Sequence, residues 1–175
     1  MIAGKRAGDL MIPLDNYPHI PYWFSLRQAM AEIENTELVV DGQKSLPRIV
    51  LVFDEKYNLM GMVRRRDILK GLQPDYVSFD AGKSQKQYVD VEVDPNLMEM
   101  SYDILIKHIK DRAEQAVSKV MIPITRTVEY EDHIMKVIHE MVTYNMSLLP
   151  VLCVGEVVGV VRSVDVFHEI AYHIL

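Results

Sequence analysis

Gly61-Met62-Val63-Arg64-Arg65-Arg66-Asp67-Ile68-Leu69 and Gly159-Val160-Val161-Arg162-Ser163-Val164-Asp165-Val166-Phe167 are one phrase written twice, offset by 98 residues from Gly61 to Gly159. A second phrase recurs ahead of each. Asp9-Leu10-Met11-Ile12-Pro13 is echoed by Lys119-Val120-Met121-Ile122-Pro123, with Met11 and Met121 offset by 110. Two blocks recurring in the same order are far harder to obtain by chance than either alone, so the chain contains a duplicated unit. The unequal offsets mean that the first copy carries about a dozen extra residues between its landmarks.

Each copy reads as strand, helix, strand, strand, helix. In the first, Ser25 and Gln28 make a capping box, in which a hydroxyl and an amide three residues on satisfy each other's orphan backbone N–H groups. Leu26, Met30 and Ile33 then share a helical face. Ile49 to Phe53 is an unbroken branched apolar run, the pattern of a strand buried on both sides. Asp54 to Asn58 forms a turn, Leu59 to Val63 returns as a strand, and a helix starts at Arg66 or Asp67 and runs through Leu72. In the second copy Asp132 caps a helix carrying Ile134, Val137, Ile138, Met141 and Val142, which ends at Asn145. Pro150 to Val154 turns at Gly155-Glu156 into Val157 to Val161, and Asp165 to His173 closes the unit. Between the copies, Gly71 to Val93 is rich in turn formers and reads as a linker or mobile loop. Asp94-Pro95 opens a further helix, whose stripe of Leu97, Met100, Ile104, Leu105 and Ile109 suits cover by a neighbouring helix or a second chain.

The bulk numbers narrow the class. The 175 residues are 49% hydrophobic and 25% charged, an ordinary globular composition. Twenty-five acidic against 19 basic side chains leave a net charge of −6, which counts against non-specific nucleic-acid binding. The one cysteine, Cys153, excludes an internal disulfide framework and a cysteine-based zinc site. Met1 to Arg6 lacks the apolar core of a signal peptide, and no run of about 18 apolar residues suits a membrane span. A cytoplasmic protein without membrane contact is the expectation.

The ordered set Asp-Leu-Met-Ile-Pro, Arg48-Ile49-Val50-Leu51-Val52-Phe53-Asp54 and Gly61-x-Val-x-x-x-Asp67 resembles a CBS domain. The second set, Met121-Ile122-Pro123, Ser147-Leu148-Leu149-Pro150-Val151 and Gly159-x-Val-x-x-x-Asp165, is closer still to that pattern. The resemblance implies an α/β (α+β) fold of tandem pseudo-twofold βαββα repeats, sheets facing each other and helices outside. Repeat 1 would be 1–72 and repeat 2 116–175, with 73–115 as polar linker plus amphipathic helix. It also implies a stand-alone regulatory pair that forms a homodimer and holds adenosine-containing ligands (ATP, ADP, AMP, S-adenosylmethionine or a cyclic dinucleotide) in two clefts, passing the signal to a partner protein.

The same resemblance nominates residues. Asp67 and Asp165, at the start of the last helix of each copy, would accept hydrogen bonds from a ribose diol; alternatively each simply caps its helix. Arg64 and Arg162 stand where the family carries the Ser or Thr that meets phosphate. A guanidinium can grip phosphate with paired donors, or swing across and fill the cleft, or pair with a carboxylate. This departure favours a polyphosphate or dinucleotide over AMP. Arg48 precedes the central strand, from which relatives reach phosphate, and Leu148 is read as its counterpart; its other role is a surface ion pair. Base contacts in the second copy would come from Ile124 to Val128, with Thr127 polar, and from Met146, Ser147 and Pro150. The matching stretch of the first copy is read as His19-Ile20-Pro21-Tyr22, where Ile20 would line the cleft and Tyr22 or Trp23 could stack on a base or belong to the core. Val50 is read as replacing the usual Pro.

The six histidines are dispersed, and His168 and His173 lack the i, i+4 spacing of a metal pair, so no metal is expected. No nucleophile elbow or phosphate-binding glycine loop is present, so no enzyme activity and no required cofactor are expected. The eleven methionines suit adaptable core and interface packing. Two functions from different classes remain: a nucleotide sensor, and a ligand-free dimerisation module whose clefts are plugged by Arg or aromatic side chains.

Overall fold

Ile49-Val50-Leu51-Val52-Phe53 is buried at every position, so both faces of its strand are covered. Side chains alternate across a strand, and here they alternate between two cores. Val50 and Val52 pack with Leu26, Ala29, Ile33 and Ile68 on the helical side. Ile49, Leu51 and Phe53 face the other way, into a cluster with Ile12, Leu148 and Val160.

The computed structural model describes residues 4–73 and 102–175. The linker residues 74–93, the Asp94-Pro95 helix start, Leu97 and Met100 lie outside the described residues. In chain order the elements are α1 (Ala7–Leu10), β1 (Ile12–Pro13), β2 (His19–Pro21), α2 (Leu26–Asn35), β3 (Leu38–Val40), β4 (Gln43–Ser45), β5 (Ile49–Phe53), β6 (Leu59–Arg64), α3 (Arg65–Leu72), α4 (Tyr102–Arg112), β7 (Ile122–Pro123), β8 (Val128–Glu129), α5 (Ile134–Thr143), β9 (Leu148–Cys153), β10 (Glu156–Arg162) and α6 (Ser163–Ile174). Two four-stranded sheets, ordered β2-β5-β6-β7 and β1-β10-β9-β8, share the apolar cluster between them. This is the expected pair of βαββα repeats with facing sheets. Among the described residues no helix is long and apolar enough to cross a membrane.

The sheet orders reveal an exchange that the linear reading does not contain. β1 comes from the first copy but pairs with β10 of the second, Ile12 opposite Val160. β7 comes from the second copy but pairs with β6 of the first, Met62 opposite Ile122. The flanking segments follow: Ala7 and Leu10 complete the core of the second repeat, and Ala113 and Val117 complete that of the first. Backbone bonds secure both docks, with Ala7 N–H donating to the Asp132 carbonyl at 2.8 Å and Val117 N–H to that of Phe24 at 2.7 Å.

Local details refine the sequence reading. The Ser25–Gln28 capping box is present, but Ala29 rather than Met30 joins Leu26 and Ile33 in the core. α5 is capped by His133, whose Nδ1 accepts from Met135 N–H at 3.2 Å. Asp132, expected as that cap, instead accepts from Glu129 N–H at 2.8 Å and pairs with Lys136 at 2.7 Å. α3 and α6 start at Arg65 and Ser163, before the expected Arg66 and Asp165. Most of the extra length of the first copy is a separate antiparallel hairpin, β3–β4, inserted between α2 and β5.

Register also corrects three equivalences. Ile49 lies opposite Arg64 and Leu148 opposite Arg162, so the counterpart of Arg48 is Ser147, not Leu148. Leu51 lies opposite Met62 and Pro150 opposite Val160, so Leu51, not Val50, stands where the second copy has Pro. Ile20 pairs with Val52 as Val128 pairs with Val151, so the first-copy match to Ile124–Thr127 is the segment before Ile20, containing Tyr17.

Two predictions follow from backbone geometry. A Cβ at Gly159 would stand 2.5 Å from the Ile12 carbonyl oxygen, and one at Gly61 2.5 Å from that of Ile122. Gly159→Ala and Gly61→Ala each push a docked strand away and should cost about 1–3 kcal/mol in urea unfolding. The β9–β10 turn has Val154 at φ 52° and Gly155 at φ 79°. Left-handed geometry strains a branched residue but suits Asn, so Val154→Asn should raise stability by about 1 kcal/mol in the same assay.

Candidate functional site: two arginine–aspartate pairs and a cleft between the repeats

Asp67 and Asp165 are the charged residues buried among the described ones, at 7% and 9% exposure. A buried carboxylate is costly unless it is paired and hydrogen-bonded, and the repeated phrase supplies the partner three residues earlier. β6 ends at Arg64 and α3 begins at the next residue; β10 ends at Arg162 and α6 begins at the next. Each guanidinium therefore folds back over the first helical turn. Arg64 Nε and Nη2 donate to the two Asp67 oxygens at 2.8 and 2.9 Å. Arg162 Nε and Nη2 donate to those of Asp165 at 2.6 and 2.7 Å. Both are two-point, charge-assisted contacts.

The pairs differ in setting. The Arg162 side chain is 12% exposed against 37% for Arg64. Arg162 Nη1 makes a further bond to Ser45 Oγ at 3.0 Å, and Ser45 lies at the end of the inserted hairpin. In the first pair, Arg64 N–H donates to Asp67 at 3.0 Å, so that carboxylate also caps α3. Burial pushes the Asp67 carboxyl up, but the hydrogen bonds and charge of Arg64, with Arg66, outweigh it and hold it below the usual carboxylate range.

A cleft of about 1460 Å³ opens beside the second pair. Of the sequence-predicted residues, Arg162 and Asp165 line it. The first repeat supplies further lining: Met11 to Pro13, on the strand beside β10, and the hairpin residues Leu38, Lys44 and Ser45, which form the wall facing Arg162. Lys5, His168 and Glu169 stand at it too, Lys5 paired with Glu169 at 3.6 Å. The excess length of the first copy was the only sequence signal for this hairpin wall.

The other nominated residues lie elsewhere. Ile124 and Met146 pack against the core between the sheets. Thr127 is half-buried just before β8. Pro150 is buried in β9 opposite Val160, and Ile20 is buried in β2 opposite Val52. Ser147 and Arg48 are exposed, and their carbonyls accept the first amides of α6 and α3 at 2.8 and 3.3 Å. Tyr22 packs against the first core while Trp23 is exposed. Tyr17, which the sequence did not single out, is buried with its hydroxyl donating to the Ile49 carbonyl at 2.6 Å. Burial pushes its phenol far above the usual range, and it lies within the fields of Arg162 and Asp165. Among the described residues, no three His, Cys, Asp or Glu side chains group as a metal site.

Fold and site together define a two-repeat module with a cleft at the seam, and comparison with known proteins gives the class. Residues 117–172 match the family model described as CBS domain. No curated protein matches the chain. Among solved structures, CBSX2 from Arabidopsis thaliana, a CBS-pair protein, is 16% identical over 97% of this chain and 96% of its own, with a TM-score of 0.64. A structure of CBSX2 in complex with AMP is likewise 16% identical, covering 97% and 98%, with a TM-score of 0.62. The CBS domain of a CBS domain containing membrane protein from Sphaerobacter thermophilus is 18% identical over 95% and 88%, with a TM-score of 0.66. The second repeat thus matches the CBS-domain model, and the chain as a whole has the fold of a CBS-domain pair.

The depressed Asp67 carboxyl makes stability depend on acid. Its folded value lies below the unfolded one, so the ionised pair contributes fully above the unfolded range, about pH 4, and is lost as pH falls through the folded value. Urea midpoints measured from pH 7 down to pH 3 should fall most steeply below about pH 4. Asp67→Asn should remove part of that drop.

Proposed function

We propose that the chain is a regulatory module that takes an adenosine-containing ligand in the cleft beside Asp165 and presents the change to a partner protein. The observation that carries this reading is the Arg162–Asp165 pair, a carboxylate and a guanidinium side by side at the mouth of α6 on a cleft walled by both repeats. A ribose diol suits the carboxylate, and a phosphate suits the guanidinium and the helix N-terminus. CBSX2, which shares the fold, has been crystallised with AMP. A ligand bridging both walls would favour one arrangement of the repeats over another, which is what a sensor requires.

The module is read as a binding protein rather than a catalyst, acting in the cytoplasm. A second copy is its proposed assembly partner. Leu69 on α3 and Phe167 on α6 occupy equivalent places in the repeated phrase and are both exposed, as an isologous helical contact would require.

One observation favours the alternative, a ligand-free dimerisation module. In both repeats the guanidinium already occupies both oxygens of the aspartate. Thermal unfolding against AMP, ADP, ATP, S-adenosylmethionine and cyclic di-AMP separates the two. At a ligand concentration about 100 times Kd, linkage stabilises by about 2.7 kcal/mol, on the order of 5–10 °C in Tm for a chain of this size. Asp165→Asn should abolish most of the shift. No shift with any of these ligands at millimolar concentration, with light scattering giving the mass of a dimer whether or not they are present, would establish the dimerisation module instead.

A further inference from the structure

We propose that Arg162, Asp165 and Ser45 form an exchange lock that makes the second cleft select phosphorylated adenosines over adenosine itself. The inference rests on the ligand reading above and names what that site demands of its occupant.

The lock follows from how the groups are paired and how deeply they are buried. Both Asp165 oxygens are taken by Arg162 Nε and Nη2, and Nη1 is taken by Ser45 Oγ. The carboxylate and the guanidinium are both nearly buried. Each Asp165 oxygen keeps a second lone pair, but with 8% of the side chain exposed a ribose diol reaches both oxygens only by displacing Arg162, and a guanidinium left without an anion in such a place is strongly unfavourable. Adenosine offers the carboxylate two hydroxyls and the guanidinium nothing. AMP offers both: hydroxyls for Asp165, and a dianion whose oxygens match the paired donors of Arg162. The pair is therefore released by swapping partners, not by breaking.

Ser45 sets how firmly the lock holds. It belongs to the inserted hairpin, which has no counterpart in the second repeat. The hairpin is anchored by Leu38, buried in the core between the sheets, and braced by Lys44 with Glu37 at 3.0 Å. Ser45 thus reaches Arg162 from the opposite wall, on a support independent of α6. Arg64 is the more exposed of the two guanidinia, so a ligand meeting the Arg64–Asp67 pair would be discriminated less.

Isothermal titration with AMP and with adenosine tests this, using chains that carry Asp67→Asn to remove the first ribose carboxylate. The D67N chain should prefer AMP by at least about 10-fold. Ser45→Ala frees one guanidinium donor and should tighten AMP binding about 5-fold, the scale of one hydrogen bond, while adenosine stays weak. Arg162→Ala should bind the two ligands with affinities within about 2-fold of each other. Should that variant fail to fold because Asp165 loses its cation, S45A alone decides. Equal binding of both ligands by the D67N chain, a preference that survives R162A, or AMP affinity unchanged or weakened by S45A would overturn the lock while leaving the ligand site standing. Absence of binding by either ligand in the unsubstituted chain would remove the site and the lock together.

Discussion

Two strands of two residues each, laid on the sheet of the opposite repeat, hold this molecule in register. Ile12-Pro13 and Ile122-Pro123 add little surface of their own, yet each brings a flanking segment that finishes the other repeat's core. The backbones approach so closely at Gly61 and Gly159 that a side chain there would meet a carbonyl oxygen. That contact explains the glycine that opens both repeated phrases. Neither repeat has a complete core without a segment of the other, so the cleft between them has walls of fixed relation.

The arginine–aspartate pairs depend on that frame. Placing Arg at the end of a strand and Asp in the first turn of the next helix makes a two-point contact within one repeat. By itself a buried ion pair is poor evidence of stability, because desolvating both ions offsets much of their attraction. What distinguishes the second pair is its surroundings: the Ile12 strand on one side, the hairpin on the other, and Tyr17 held beneath by the Ile49 carbonyl. Identical local chemistry thus becomes two unequal sites, one partly open and one closed over by an insertion.

Much of the fold could be read from residues. The duplication, the alternation of Ile49–Phe53, the Ser25–Gln28 box and the Arg–Asp positions each reflect neighbours within a few residues. The misreadings have separate physical causes. Matching Arg48 to Leu148 and Val50 to Pro150 assumes an offset of 100 between the copies, whereas the cross-strand pairing of β5 with β6 and of β9 with β10 sets it at 99, a register that only the ladder reveals. His133 displaced Asp132 as the cap of α5 because the Asp132 carboxylate closes the preceding turn instead. The base contacts expected beside Asp165 come from its own repeat, whereas the wall of the cleft that faces the Arg162–Asp165 pair is the hairpin of the other repeat.

By itself the sequence determined the repeat, the type of each element and the pairing of Arg with Asp, since each is set by spacing along the chain. Only the tertiary structure decided which sheet receives each Ile-Pro strand, where the inserted hairpin lies and which guanidinium it closes upon. Those outcomes depend on contacts between residues sixty or more positions apart, such as Met62 with Ile122, Ser45 with Arg162 and Ile12 with Val160, and local periodicity carries no information about them.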